Sequence, residues 1–347
     1  KYCVWLSEVK GLTNRSKLLL LDYFGTPENV YYADEDEYRL VEGIEPRQIA
    51  LLAEKSLENA DCILGACSRL GLRLLTMQDA DYPARLRGIF EPPCLLYVKG
   101  TLPAFDEEVA VAMVGTRSCT PYGTSSAEKI AYGLAKQGAL VVSGAARGID
   151  SAAHRGALRA GGVTIAVLGN GLDVVYPEEN AGLYRDIAAT GALLSEYPPG
   201  TAAEGWHFPI RNRIIAGLCH GTLVVEGERR SGSLITAGFA LTEGRDVFAV
   251  PGNVDSPMSA APNWLIREGA IMVREAGDIL EEYDLRDYDA AGPGEEAEAE
   301  QLTLCEKQPS KAKKKEKPAP AKAYPLRSDD GMLETVSYTH LTLPTIA

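Results

Sequence analysis

The sequence has no apolar run near the roughly 18–20 residues needed to cross a bilayer, which excludes a membrane span. No secretory apolar region opens the chain, and its first residue is Lys1 rather than a methionine, as expected of a fragment. Its seven cysteines (Cys3, Cys62, Cys67, Cys94, Cys119, Cys219, Cys305) are odd in number and form no CxxC pair. That argues against a disulfide framework or a structural zinc site, and for free thiols in a reducing cytoplasm. No metal or cofactor is expected. Neither the GxGxxG spacing of dinucleotide folds nor the GxxxxGK[ST] of P-loop hydrolases occurs. An excess of positive charge is also missing. The net charge is −13, which argues against a broad, non-specific polyanion binder.

That charge is unevenly spread. Residues 110–275 carry 14 Lys and Arg against 15 Asp and Glu, so the central segment is near neutral. Hydrophobic content of 46% and charged content of 24% are those of a globular protein, and 347 residues suggest two or three domains.

Residues 1–75 read as a small helical domain, with helical apolar spacing at Leu18–Leu21, Ile49–Ala53 and Leu57–Leu64. Val41-Glu42-Gly43-Ile44 resembles half of a helix-hairpin-helix, although the acidic run Asp34–Glu37 would repel phosphates. Residues 76–108 read as a proline-broken connector with a short strand at Leu95–Val98.

Over residues 109–277 apolar strands alternate with amphipathic helices. Strands are expected at Val109–Val114, Leu140–Ser143, Val163–Leu168, Ala192–Ser195, Thr222–Val225, Val247–Val250 and Ala270–Val273. Helices are expected at Pro121–Lys136, Asp150–Ala160, Glu178–Ala189, Asn212–Leu218, Ser231–Thr242 and Asn263–Glu268. Such a pattern makes a doubly wound, mostly parallel α/β sheet covered on both faces. Residues 278–325 read as a flexible, charge-blocked linker. It carries ten acidic residues over 278–300 and six lysines over 311–322. Residues 326–347 read as a truncated tail, and its last dozen residues as an assembly scar.

Ligands of doubly wound sheets sit beyond the carboxyl ends of the strands, so the turns there carry the chemistry. The first, Gly115-Thr116-Arg117, leads into Thr120-Pro121, a good N-cap with proline at the first helical position. Such a helix start suits an anion, and Arg117 suits a bidentate phosphate clamp; a surface ion pair is the other reading. The second turn offers Ser143, Gly144 and Arg147, with Asp150 a helix cap or a functional carboxylate and His154 one turn on. In the third, Gly169-Asn170-Gly171-Leu172-Asp173, Asp173 could hold a ribose hydroxyl or an arginine. Arg211-Asn212-Arg213, expected at a helix start, sets two guanidiniums within one turn; an anion or Glu196 or Glu226 would neutralise them. Ser231-Gly232-Ser233 presents amides and hydroxyls to a phosphate. Together these turns form an extended anion-binding rim, which fits a polynucleotide backbone and also a single nucleotide.

The same strings carry a resemblance. Gly115-Thr116-Arg117, Ser143-Gly144 with Arg147-Gly148-Ile149-Asp150, Gly171-Leu172-Asp173 with Tyr176-Pro177, and Phe208-Pro209 with Arg211-Asn212-Arg213-Ile214-Ile215-Ala216-Gly217 occur in order. Ser231-Gly232-Ser233-Leu234-Ile235-Thr236-Ala237 and Val247-Phe248-Ala249-Val250-Pro251-Gly252 follow. Over about residues 80–275 the chain resembles the DNA-processing protein A family (DprA, also called Smf). The resemblance implies a cytoplasmic, homodimeric, non-enzymatic protein with an extended Rossmann-like domain. It would bind single-stranded DNA, protect it during natural transformation and load the RecA recombinase. It also implies a small N-terminal helical (SAM-like) domain and a C-terminal winged helix, the latter expected to be missing here. Ala145 stands where family members often have Leu.

On this reading Arg117, Arg211 and Arg213 contact phosphates, with Arg147, Asn212 and Ser143 beside them and the backbone of Gly115, Thr116, Gly144 and Ser231–Ser233 adding hydrogen bonds. Tyr176, Trp206 and Phe208 are candidates for base stacking. Two other classes compete. A nucleotide N-glycosidase-like enzyme would use Glu226 or Asp173 near a ribose. A RecA-recruiting scaffold would bind DNA only incidentally.

Overall fold

The computed structural model describes residues 1–290. Six helices come first: α1 (Tyr2–Glu8), α2 (Asn14–Phe24), α3 (Pro27–Tyr32), α4 (Glu35–Tyr38), α5 (Pro46–Leu51) and α6 (Glu58–Leu70). Their starts follow the sequence. Thr13 caps α2, Thr26 caps α3 ahead of Pro27, and Asp34 with Glu37 closes a capping box on α4.

Residues 73–100 are more than a connector. They supply β1 (Arg73–Thr76) and β2 (Leu95–Gly100), with the short α7 (Ala84–Arg87) between them. Leu95–Val98 are all buried, and β2 pairs antiparallel with β1 and with β6 (Ala192–Ser195). Prolines at 83, 92 and 93 sit outside these strands, where they break no ladder.

The remaining strands are β3 (Ala110–Val114), β4 (Leu140–Ser143), β5 (Thr164–Leu168), β6, β7 (Gly221–Val224), β8 (Asp246–Ala249) and β9 (Ile271–Met272). Their helices are α8 (Pro121–Lys136), α9 (Ile149–Arg159), α10 (Ala181–Thr190), α11 (His207–Leu218), α12 (Ser233–Thr242), α13 (Ala260–Arg267) and α14 (Ala276–Ala290). All nine strands form one sheet in the order β1-β2-β6-β5-β4-β3-β7-β8-β9, parallel from β6 to β9. The expected α/β class therefore holds. Strands β3 to β6 are buried at every position, as a sheet covered on both faces requires.

One face packs Ala112, Val114, Val142 and Val167 against Ile214, Ile215 and Ala237 of α11 and α12. The opposite face packs Val111, Met113 and Val141 against Ile130 and Leu134 of α8 and Ala153 of α9. Toward the β2 edge that second face joins the N-terminal helices. Leu6, Leu20, Ile49 and Ile63 share a core with Tyr97, Leu168 and Leu193.

The linker expected from residue 278 begins instead as α14. Its side chains Ile279 and Tyr283 are buried in the core beside α8, so the acidic charges there lie on a packed helix. The lysine run, Cys305 and the tail at 326–347 lie outside the described residues.

Candidate nucleic-acid interface

Strand order reverses between β3 and β7. The chain steps from β3 through β4 and β5 to β6 on one side, then returns to place β7 on the other. The crossovers leave these two adjacent strands toward opposite faces, and a crevice opens beyond their carboxyl ends. The crevice is a groove of about 510 Å³, walled by Gly115–Arg117 after β3, Ser231–Ser233 with Ile235 and Thr236 around the start of α12, and α11 with Tyr176.

Arg117 is exposed at the lip of this groove. Its guanidinium lies 4.9 Å from the centre of the Phe208 ring, and no carboxylate pairs with it among the described residues. An exposed cation–π contact contributes about 0.5–1 kcal/mol, too little to hold the side chain against a charged ligand. Tyr176 stacks on the same ring at 5.7 Å and 27°. Cation and aromatic surface therefore meet at one wall. Trp206 stands apart from the lining, 60% exposed and donating to Glu204.

Arg211 lies at the floor, only 4% exposed. Its Nη1 donates to Gly144 O at 2.9 Å and to Val167 O, and its Nε to Asn212 Oδ1. The guanidinium braces β4 and β5 to α11 while still lining the groove. It fits because residue 144 is glycine: a Cβ there would lie 2.5 Å from Nη2. Asp150 also lines the floor. Burial pushes its carboxyl up from the ordinary range, and the Arg211 guanidinium and the Ala146 amide pull it back down. Burial likewise lowers Arg211, against the attraction of Asp150.

Of the expected site residues, the structure brings Gly115, Thr116, Arg117, Arg211, Asn212, Ser231, Gly232 and Ser233 together around the groove. Four others stand elsewhere. Ser143 is fully buried and its hydroxyl donates to Met113 O at 2.6 Å, so it ties β4 to β3. Gly144 serves as the seat of Arg211. Arg213 is turned away from the groove and buried, its Nη2 donating to Glu196 at 2.7 Å, so the ion-pair reading holds for it. Arg147 is exposed but forks onto Glu179.

Two local expectations also change. The helix around Arg211-Asn212-Arg213 starts at His207, one turn earlier than expected, so these residues point from the helix body and offer no free amides. Successive positions on a helix face about 100° apart, which is why Arg211 and Arg213 part company. The start of α8 is already filled: Glu226, 2% exposed, accepts from Thr120 N at 2.9 Å and from Thr120 Oγ1 at 2.6 Å. A carboxylate of the protein occupies the place expected for a phosphate. It fits because Gly123 has no Cβ, which would fall 2.1 Å from Glu226 Oε2. Asp173 is committed too, accepting from Gly200 N at 2.8 Å. Both carboxylates singled out for the enzyme reading thus hold the fold.

Arg229 and Arg230 were not singled out from the sequence. They are exposed immediately before Ser231 and enter no ion pair among the described residues. Two adjacent arginines leading into a Ser-Gly-Ser helix start were the available signal.

Comparison with known proteins gives the family. The profile of the family described as DNA recombination-mediator protein A matches residues 73–284. The chain belongs to that family. It is 41% identical to DNA processing protein DprA of Streptococcus pneumoniae over 82% of this chain and 98% of that one. It is 40% identical to the Bacillus subtilis DprA over 67% and 78%. The X-ray structure of the S. pneumoniae DprA superposes with a TM-score of 0.73 over 81% of this chain and 97% of that one, at 40% identity. A DNA processing protein A from Helicobacter pylori, whose structure is described by its single-stranded DNA binding mode, superposes with a TM-score of 0.56. It is 30% identical, and the match covers 62% of this chain and 97% of that one. As a DprA family member, this chain is a DNA-processing protein built on the family's mixed sheet. No described helix is long and apolar enough to cross a membrane.

Proposed function

We propose that this protein binds single-stranded DNA in the groove beyond β3 and β7 and hands the strand to the RecA recombinase, acting as a homodimer in the cytoplasm during natural transformation. The observation that carries the DNA reading is Arg117, a cation without a carboxylate partner among the described residues, set against Phe208 and Tyr176. Phosphates attract the guanidinium, while the ring faces accept any base, so binding is salt-dependent and tolerant of sequence. Ser231 and Ser233, which line the groove with Arg117, offer hydroxyls to the backbone. The Arg211 floor is preorganised, because two carbonyls fix its guanidinium before a ligand arrives. The relatives' names and the H. pylori structure support the same reading.

The test is anisotropy of a fluorescent oligodeoxythymidylate titrated with the full chain at two salt concentrations, with RecA filament growth on the same strand followed in parallel. The expected result is binding that weakens with salt and falls roughly tenfold to a hundredfold in Arg117→Ala, the loss expected for hydrogen bonds to a charged group. RecA filament growth should slow with it. Unchanged affinity in Arg117→Ala contradicts the groove as the binding site. RecA recruitment that survives loss of DNA binding contradicts the mediator reading in favour of a scaffold.

A further inference from the structure

Arg147 is a rim cation that the groove reading leaves unused. Its turn abuts the Arg117 turn directly. Ile149 N donates to Thr116 O at 3.2 Å, and a Cβ on Gly148 would meet Thr116 O at 2.3 Å and Arg117 O at 2.8 Å. Gly148 adopts φ +76°, a conformation that favours glycine, and this lets the two backbones close on one another. The two exposed guanidiniums therefore issue from neighbouring turns on the same rim, while Ala146 and Tyr176 on the Arg147 side line the groove itself.

Arg147 is already engaged in the way a phosphate would engage it. Its Nε and Nη2 fork onto the two carboxylate oxygens of Glu179, both side chains more than half exposed. This planar two-point contact is the geometry by which arginine recognises either a carboxylate or a phosphate. Glu179 is held in place by its neighbour. Asn180, buried, donates to Ala145 O at 3.0 Å and to Ser151 Oγ at 2.9 Å, which pins the Glu179 segment against the Arg147 turn.

We propose that Arg147 is a second phosphate subsite on the strand-binding face, filled in the free protein by the Glu179 carboxylate, which an arriving phosphodiester displaces. The inference rests on the proposed strand binding in the groove. Hydrogen bonds from Arg147 keep Glu179 ionised, with its carboxyl held down to about 2, so the carboxylate competes at every physiological pH. An exposed pair of this kind contributes little to the fold and is screened by salt, so exchanging it for a phosphate leaves the scaffold intact. Glu179 then limits affinity and eases release of the strand.

The experiment is a salt titration of oligodeoxythymidylate binding to the full chain in wild type, Arg117→Ala, Glu179→Gln, Arg147→Ala and the Arg147→Ala/Glu179→Gln double variant. Glu179→Gln is expected to tighten binding several-fold at low salt. Arg147→Ala should weaken it and make the log–log salt slope shallower by about 0.7, one phosphate contact on a single strand. The double variant should behave as Arg147→Ala alone, because the gain acts through Arg147. Glu179→Gln at wild-type affinity overturns the proposal, as does a gain that persists without Arg147, which marks a general charge effect. If Arg117→Ala abolishes binding while both rim variants keep wild-type affinity and slope, only the second subsite fails. If wild type does not bind, or Arg117→Ala binds normally, the strand-binding reading itself fails.

Discussion

Single side chains in this protein do two kinds of work that the sequence makes look alike. Arg117, Arg147, Arg211 and Arg213 all sit in motif positions, yet one is a cation without a carboxylate partner among the described residues, two are ion-paired and one is a brace between carbonyls. His154 is the plainest structural case. It is fully buried, and its Nδ1 lies 2.7 Å from Thr164 Oγ1, whose proton goes to Val141 O. Nδ1 therefore donates, and Nε2 is left bare and without a partner. Burial, with the Arg211 charge adding to it, lowers the ring from 6.5 to about 3. The unfolded chain then binds a proton between those values that the folded chain refuses. The stability that neutral His154 permits is complete above pH 6.5 and is lost progressively as pH falls toward 3. Urea midpoints measured from pH 7.5 to 4.5 should fall more steeply in wild type than in His154→Gln. Parallel pH profiles would contradict this.

At the scale of elements, the joint between β7 and α8 decides whether the groove keeps its shape. Glu226, two residues past the end of β7, grips Thr120, which in turn caps Gly123 N at 3.2 Å. Thr116 N also donates to Glu226 O at 2.8 Å, so the Arg117 turn hangs on the same residue. Thr120→Val removes the cap and leaves a buried carboxylate short of a donor, at a cost of about 1–3 kcal/mol in denaturant unfolding. An unchanged midpoint would show that the joint carries no strain-bearing contact. The parallel strands and their helices were legible from apolar runs and caps, since Leu140–Ser143, Ala192–Ser195 and Pro121–Lys136 appear as expected. The start of α11 was not. His207-Phe208-Pro209 holds a proline that reads as a breaker, but in the first turn its missing N–H costs nothing. Strand β1 was missed because Arg73–Thr76 are four residues at the edge of the sheet with one fully buried side chain. Such a segment has too little alternation to read.

In the whole molecule the N-terminal helices and the sheet share one core, through Leu6, Leu20 and Ile63 against Tyr97, Leu168 and Leu193. The sequence divided these parts at the prolines, because it shows composition and not which apolar faces meet. The rim was legible as a set of turns, but which arginines face the groove followed from helix phase and from carboxylates distant in sequence. Charge adds the same lesson. A chain of net −13 still sets Arg117 and Arg211 in the lining of one groove. The measurement that tests this placement most directly is photocrosslinking of the full chain to a single-stranded oligonucleotide carrying 5-iodouracil, with the adducts mapped by mass spectrometry. The account predicts adducts on Tyr176 and Phe208 that vanish in Arg117→Ala. Adducts confined to the N-terminal tyrosines Tyr23 and Tyr32, with none in the groove, would contradict it.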